Sequence, residues 1–149
     1  MLIQPEDIFI LSSHIEANQK FGGGEVKFDV KVGGKLYENR DDPAIYNATL
    51  SLKLVSKNKS NPLPYKCKLE LVGHFHVSDE VPSEKKEEIV GVNGLSILYG
   101  SAREHILSIT SRGPHPSICL PCISFRKDAK EYESTVTSPA KTSKTGRLE

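Results

Sequence analysis

Residues 93–104 have the sequence Asn93-Gly-Leu-Ser-Ile-Leu-Tyr-Gly-Ser-Ala-Arg-Glu104. From this point the apolar residues recur at steps of three and four positions, which is the spacing of one face of an α-helix. The members of this stripe are Leu95, Leu98, Ala102, Ile106 and Ile109. The pattern predicts a long amphipathic helix that Asn93 caps and that Gly113-Pro114 ends. A short helical turn is predicted just before it, over residues 82–89.

The chain before this helix alternates between apolar and polar side chains, which is the period of a β-strand. Clean runs cover residues 25–32, 44–55 and 66–77, and a weaker run covers residues 8–16. In the weaker run, Phe9, Leu11 and Ile15 are expected to share one face. Turns rich in Gly, Pro and Asn separate the runs, which predicts an antiparallel sheet with one solvated face and one covered face. The expected fold class is α+β: a four-stranded antiparallel sheet covered on one face by the long helix.

The chain after the helix is apolar but irregular. Pro114, Pro116 and Pro121 exclude a regular helix or a central strand over residues 116–125. We expect an extended loop that packs over the sheet or the helix and that could also roof a groove. From Ser134 onward the chain offers almost nothing to bury, so we predict one domain over residues 1–133 and a disordered tail over residues 134–149.

Composition excludes several classes of function. The chain has 149 residues and a formal net charge of +1, so it has no cationic surplus for binding nucleic acid. No apolar run is long enough for a membrane span, and the first residues do not resemble a secretion signal. Three cysteines suit a reducing cytoplasm, which is the expected location. Gly22-Gly23-Gly24 completes no phosphate-binding motif, and we expect neither nucleotide hydrolysis nor any other enzymatic activity.

The same residues resemble the SecB family of bacterial export chaperones. The most specific signal is the spacing from Ala102-Arg-Glu104 to Ser111-Arg-Gly113, followed by a proline-containing apolar loop that ends at Ile123-Ser-Phe125. Glu25-Val-Lys-Phe-Asp-Val30 and Gly73-His-Phe-His-Val77 are similar to strands of the family in order and type. The resemblance extends over roughly residues 6–125.

The resemblance implies a homotetramer built as a dimer of dimers, with the long helix in the subunit interface. It implies a holdase that binds unfolded polypeptides without ATP or any cofactor. Clients would lie in an apolar groove between sheet, helix and loop. The substrate-binding residues that match the family's groove are Phe28, Val30, Phe75, Val77, Tyr99, Ile118, Leu120 and Phe125.

Some positions depart from the family pattern. Members that deliver clients to the motor SecA carry acidic residues on the outward face of the sheet. Glu16 matches one of these partner-binding positions, whereas Ser12 and Lys68 replace carboxylates, and Ser101 replaces a tyrosine of the groove. A lysine repels a basic partner. SecB-like proteins also protect antitoxins of toxin–antitoxin systems, and this role is the alternative to export.

A hypothesis of a different class starts from His74-Phe-His76 and Cys119-Leu-Pro-Cys122. Two histidines and two cysteines could hold zinc, and the cysteines alone could form a redox pair. Cysteine also serves as a small apolar residue in buried loops, and the Cys-x-x-Cys pair does not begin a helix, so we expect no metal site.

Overall fold

Antiparallel strands and one long helix make up the chain, which confirms the predicted α+β class. The computed structural model describes residues 2–39, 41–57, 62–125 and 131–140, the last range by its backbone. The elements are β1 (Ile3–Ala17), β2 (Val26–Glu38), β3 (Ile45–Ser56), β4 (Tyr65–Val77), α1 (Ser83–Ile89), a π-helical turn (Val90–Gly94), α2 (Leu95–Ser111) and β5 (Glu131–Ala140).

The strands form one antiparallel sheet in the order β1-β4-β3-β2-β5. On β2, β3 and β4 the predicted alternation is present, since every second side chain is buried. We call the face that carries these buried side chains, and over which α2 lies, the inner face, and the opposite one the outer face. Between β1 and β2 the chain turns through Gly23 and Gly24, whose φ angles of 90° and 89° favour glycine.

Strand β1 does not follow the predicted alternation. Register shifts occur between Pro5 and Asp7 and between Ile10 and Ser12. Each bulge inserts a residue, which moves the following side chains to the other face. Phe9 therefore lies on the outer face beside the His74 ring, with 5.7 Å between the ring centroids, whereas Ile15 lies on the inner face opposite Cys67. The prediction that Phe9, Leu11 and Ile15 share one face is wrong, because Leu11 falls in the second bulge between them.

The helical region is continuous from Ser83 to Ser111. Asn93 is not a cap: it lies inside the π-helical turn, and its side-chain amide donates to the Ile89 carbonyl. The stripe also differs at its end, since Thr110 is fully buried and Ile109 is 39% exposed. Because the π-helical turn continues the helix from α1 into α2, residue 93 is not the start of a helix and needs no N-cap. No helix in the described ranges is long and apolar enough to cross a membrane.

The predicted disordered tail begins inside a strand. Residues 134–140 form most of β5, which pairs along β2 from Val26 to Lys35. A chain that has little to bury can still satisfy its backbone N–H and C=O groups at an open sheet edge, and composition does not reveal this. Residues 141–149 lie outside the described residues.

One irregular segment follows α2, as predicted. We call residues 114–125 the cover segment; residues 116–125 belong to no helix or strand. Its side chains Ile118, Leu120 and Phe125 belong to the same buried apolar cluster as Phe28 and the other inner-face residues of β2. Helix α2 contacts β1, β3 and β4. Two elements therefore cover the core: helix α2 and the irregular cover segment.

Gly73 on β4 marks the closest approach of sheet and helix. A Cβ atom there would lie 2.6 Å from Phe75 Cε2 and 3.0 Å from Leu98 Cδ2. Because both neighbours are fully buried, we expect Gly73→Ala to lower the free energy of unfolding by about 1–3 kcal/mol, measured by urea denaturation. Gly100, on the exposed side of α2 with nothing within 4 Å, is the matched control. Gly100→Ala is expected to stabilise by up to about 1 kcal/mol. Equal effects of the two substitutions would contradict this packing.

Candidate functional site

The eight residues predicted to bind clients are all buried in the structure. Their exposed fractions are at most 3%. They come from β2, β4, α2 and the cover segment, and they are Phe28, Val30, Phe75, Val77, Tyr99, Ile118, Leu120 and Phe125. The fold brings them into one apolar cluster, but it does not leave them open to solvent as an exposed groove requires. The reason is that the cover segment fills the space over the inner face, and alternation predicts burial without saying what does the burying. Their role in binding stays a prediction.

Helix α2 fastens the distal half of the cover segment with two side chains. The Tyr99 hydroxyl donates to the Pro121 carbonyl, and Arg103 Nε donates to the Leu120 carbonyl at 3.0 Å. The Tyr99 and Phe125 rings meet edge to face, 6.0 Å between centroids. Burial raises the pKa of the Tyr99 phenol to about 12, and the Arg103 charge offsets part of that rise. Tyr99 is therefore a neutral donor at physiological pH.

Two buried hydroxyls fasten the proximal half. Thr110 Oγ1 donates to the Ile106 carbonyl at 2.7 Å and accepts the Ile118 amide at 3.0 Å. The Tyr65 hydroxyl accepts the His115 amide at 3.0 Å. His115 also reaches the Asn18 carbonyl through its ring, with 2.9 Å between Nε2 and the carbonyl oxygen. The cover segment is thus held at several points by side chains that belong to other elements.

Sequence reasoning missed most of these anchors. In the sequence Arg103 stands out only as part of the Ala102-Arg-Glu104 motif, whereas in the structure it donates to a backbone carbonyl of the cover segment. Thr110 belongs to no motif. A signal for it exists, since threonine falls one position beyond Ile109 on a stripe that is otherwise apolar. A buried threonine needs hydrogen-bond partners, so such a position predicts a contact with backbone groups nearby.

The outer face carries the predicted partner-binding residue. Glu16 is exposed there and pairs with His14, at 3.3 Å from Oε1 to Nε2. The histidines of the zinc hypothesis, His74 and His76, also lie on this face, whereas Cys119 and Cys122 are exposed on the cover segment over the inner face. The fold therefore does not bring the four side chains together. Among the described residues no group of three His, Cys, Asp or Glu side chains could hold a metal ion.

Comparison with known proteins agrees with this architecture. Residues 12–134 match the family model of SecB, described as preprotein translocase subunit SecB. The match covers most of the chain, so the protein belongs to the SecB family. Membership of this family supports a chaperone role. No curated protein sequence matches the chain.

A solved structure shows the same fold. The Mycobacterium tuberculosis Rv1957 SecB-like chaperone, in complex with a ChAD peptide from the Rv1956 HigA1 antitoxin, superposes with a TM-score of 0.65 at 18% sequence identity. The match covers 83% of this chain and 91% of that one. A protein of unknown function from Streptococcus agalactiae matches with a TM-score of 0.45 at 16% identity, over 80% of this chain and 97% of that one.

Proposed function

We propose that this protein is a cytoplasmic, ATP-independent holdase that binds unfolded polypeptides on the inner-face surface beneath the cover segment. The proposal rests on one observation: a large apolar surface lies beneath a segment that forms neither helix nor strand. Side-chain hydrogen bonds from Tyr65, Tyr99, Arg103 and Thr110 hold that cover in place. Such a cover can leave without unfolding the sheet or the helix.

An unfolded client suits the surface that this movement would open. It offers apolar side chains for the pockets that Ile118, Leu120 and Phe125 vacate, and it offers backbone carbonyls and amides. The Tyr99 hydroxyl and Arg103, which now hold the cover segment through its Pro121 and Leu120 carbonyls, would face solvent once the segment leaves. Water would then satisfy them, so their hydrogen bonds stabilise the closed state alone.

Holding follows from mass action. A protein that binds the unfolded state of a client delays its folding and aggregation. Each short apolar contact is weak, but several subunits that share one client chain bind it tightly. The role proposed for this holding is to keep precursor chains unfolded for export, which membership of the SecB family supports.

Opening of the cover segment leads to the expectation that weaker anchors give tighter client binding. If binding needs an open cover, a variant that weakens the cover's anchors raises the open fraction and the apparent affinity for clients. We expect the double variant Tyr99→Phe, Arg103→Leu to tighten binding by about fivefold for each hydrogen bond lost, and to lower thermal stability slightly. The measurement is fluorescence anisotropy with a labelled polypeptide kept unfolded by reduction and alkylation of its cysteines.

The control is Arg112→Leu, at the exposed C-cap of the same helix. It removes an arginine without touching the cover segment, so its Kd should equal that of the wild-type protein. An unchanged or weaker affinity of the double variant, with its circular dichroism spectrum intact, would contradict binding beneath the cover.

The assembly proposed here is the tetramer that the family resemblance implies. Strand β1 lies at an edge of the sheet and exposes apolar side chains, with Ile10 at 41% and Leu11 at 59%. Beside it, Ile109 of α2 is 39% exposed, and His105 of α2 contacts Ser13 of β1 at 2.9 Å. An open edge with an apolar rim suits pairing with another copy of the chain.

The variant Ile10→Lys, Leu11→Lys tests this assembly. Two charges at the rim are expected to reduce the mass measured by light scattering after gel filtration, because they would be buried unpaired in the interface. Tyr37→Lys is the control, since Tyr37 is also half-exposed but lies on β2, away from this edge. An unchanged mass for the double variant, or an equal loss for the control, would place the interface elsewhere.

A second candidate function is protection of an antitoxin. It is favoured by the likeness of the fold to a SecB-like chaperone solved with an antitoxin peptide. Deletion of the gene separates the two roles. Accumulation of periplasmic precursors is expected for the export role. Normal export, with a growth defect relieved by removing a neighbouring toxin, is expected for the antitoxin role and would contradict export.

A further inference from the structure

Three lysines stand side by side on the outer face. Lys31 of β2 lies directly opposite Lys53 of β3, and Lys53 lies directly opposite Lys68 of β4. All three are exposed, and we call them the lysine row. His14 of β1 extends the row, since it lies opposite Lys68. Directly opposed residues on neighbouring strands have Cβ atoms about 5 Å apart, and like charges in such pairs destabilise a sheet. The arrangement therefore costs stability wherever nothing anionic covers it.

The surrounding protein does little to offset this charge. Within the described ranges the lysine row makes no ion pair, while Glu16 is engaged by His14. Glu70 lines the same shallow depression, of about 260 Å³, as the three lysines. Ser12 and Ser51 line it as well and add hydroxyl donors. The row is thus the cationic floor of a concavity that can accept an anionic group.

We propose that the lysine row docks an acidic helix of a partner protein. Neighbouring strands are about 4.8 Å apart, so the three lysines lie at roughly 0, 5 and 10 Å along a line across the sheet. Carboxylates at positions i, i+3 and i+7 of a helix lie on one face at roughly 0, 4.5 and 10.5 Å along its axis. A helix that crosses the strands can therefore place one carboxylate over each lysine.

The flanking rows favour a protein over a nucleic acid. Asp29 and Glu16 lie in the row on one side, together with Lys66, which is opposite Glu16, and Glu70 lies in the row on the other. Carboxylates therefore border the lysine row on both sides, and the net charge of the whole chain is only +1. A continuous phosphate backbone would meet these carboxylates, whereas a helix with one acidic stripe would not. The site lies on the face opposite the cover segment, so it does not depend on the proposed client site and can be filled at the same time.

The test uses the full-length protein and two fluorescent alanine-based helical peptides of equal composition. One carries glutamates at i, i+3 and i+7, and the other carries the same three glutamates spread around the helix. We expect the striped peptide to bind more tightly at low salt. The variant Lys31→Glu, Lys53→Glu, Lys68→Glu is expected to weaken its binding roughly tenfold or more.

The control variant Lys20→Glu, Lys85→Glu, Lys86→Glu changes the net charge by the same amount on other elements and should bind like the wild-type protein. Equal binding of both peptides, an equal loss in the control variant, or tighter binding of a single-stranded oligothymidylate would overturn the proposal.

A second measurement needs no ligand. Lys53→Gln removes the central charge, so it is expected to raise the thermal midpoint at low salt relative to Lys85→Gln. The difference should vanish at about 1 M salt, where charges are screened within about 3 Å. A lower midpoint for Lys53→Gln would mean that the protein itself already compensates the row, and it would overturn the need for an acidic partner.

Discussion

The inner face of the sheet must be kept from water, and a single helix does not cover all of it. Three long strands, β2, β3 and β4, present a continuous apolar surface. Helix α2 lies over β1, β3 and β4. Burial of the remaining apolar surface is strongly favourable, at roughly 25 cal/mol for each Å². The chain meets this demand with a segment whose prolines prevent it from forming a helix or joining the sheet, so side chains of other elements must hold it.

This construction separates two kinds of stability. The sheet and α2 are held by their own backbone hydrogen bonds, which a local movement of residues 114–125 would leave intact. The cover segment is held by a few hydroxyl and guanidinium contacts, each worth on the order of 1 kcal/mol net, and by burial of Ile118, Leu120 and Phe125. Because it adds no backbone ladder to the sheet or to α2, it can move as a local unit, and the apolar side chains of a client would replace the burial that is lost. A segment of this kind suits the proposed client-binding surface, which would stay covered until a client arrives.

Much of this fold could be predicted from the sequence, because strands β2 to β4 bury one face and expose the other in strict alternation. The same logic failed on β1, where two bulges change the face of later side chains, and at Asn93, where a π-helical turn removes the need for a cap. Residues 134–140 pair with β2 through their backbone, and composition does not reveal this, because an edge strand is selected by backbone pairing and not by apolar side chains. The predicted site residues do meet in space. Alternation marks the strand residues among them for burial, but it does not show that residues 114–125 close over them, because that depends on tertiary contacts of Thr110 and Arg103.

The two faces of the sheet carry different chemistry. The inner face offers apolar surface under the cover segment, and the outer face offers a row of lysines with hydroxyls beside it. Where the family resemblance leads one to expect carboxylates, Lys68 contributes positive charge, which suits a partner of opposite sign. Clients and partners would therefore not compete for the same surface.

Amide hydrogen exchange at Ile118, read by NMR with and without a saturating unfolded client, shows whether a client replaces the cover segment. The amide of Ile118 donates to buried Thr110 Oγ1 and so reports on the closed cover, while amides of β3 report on the sheet. If clients replace the cover segment, Ile118 exchanges faster in the complex and the β3 amides stay protected. If Ile118 keeps or gains protection when the client binds, the client lies elsewhere and the account is wrong.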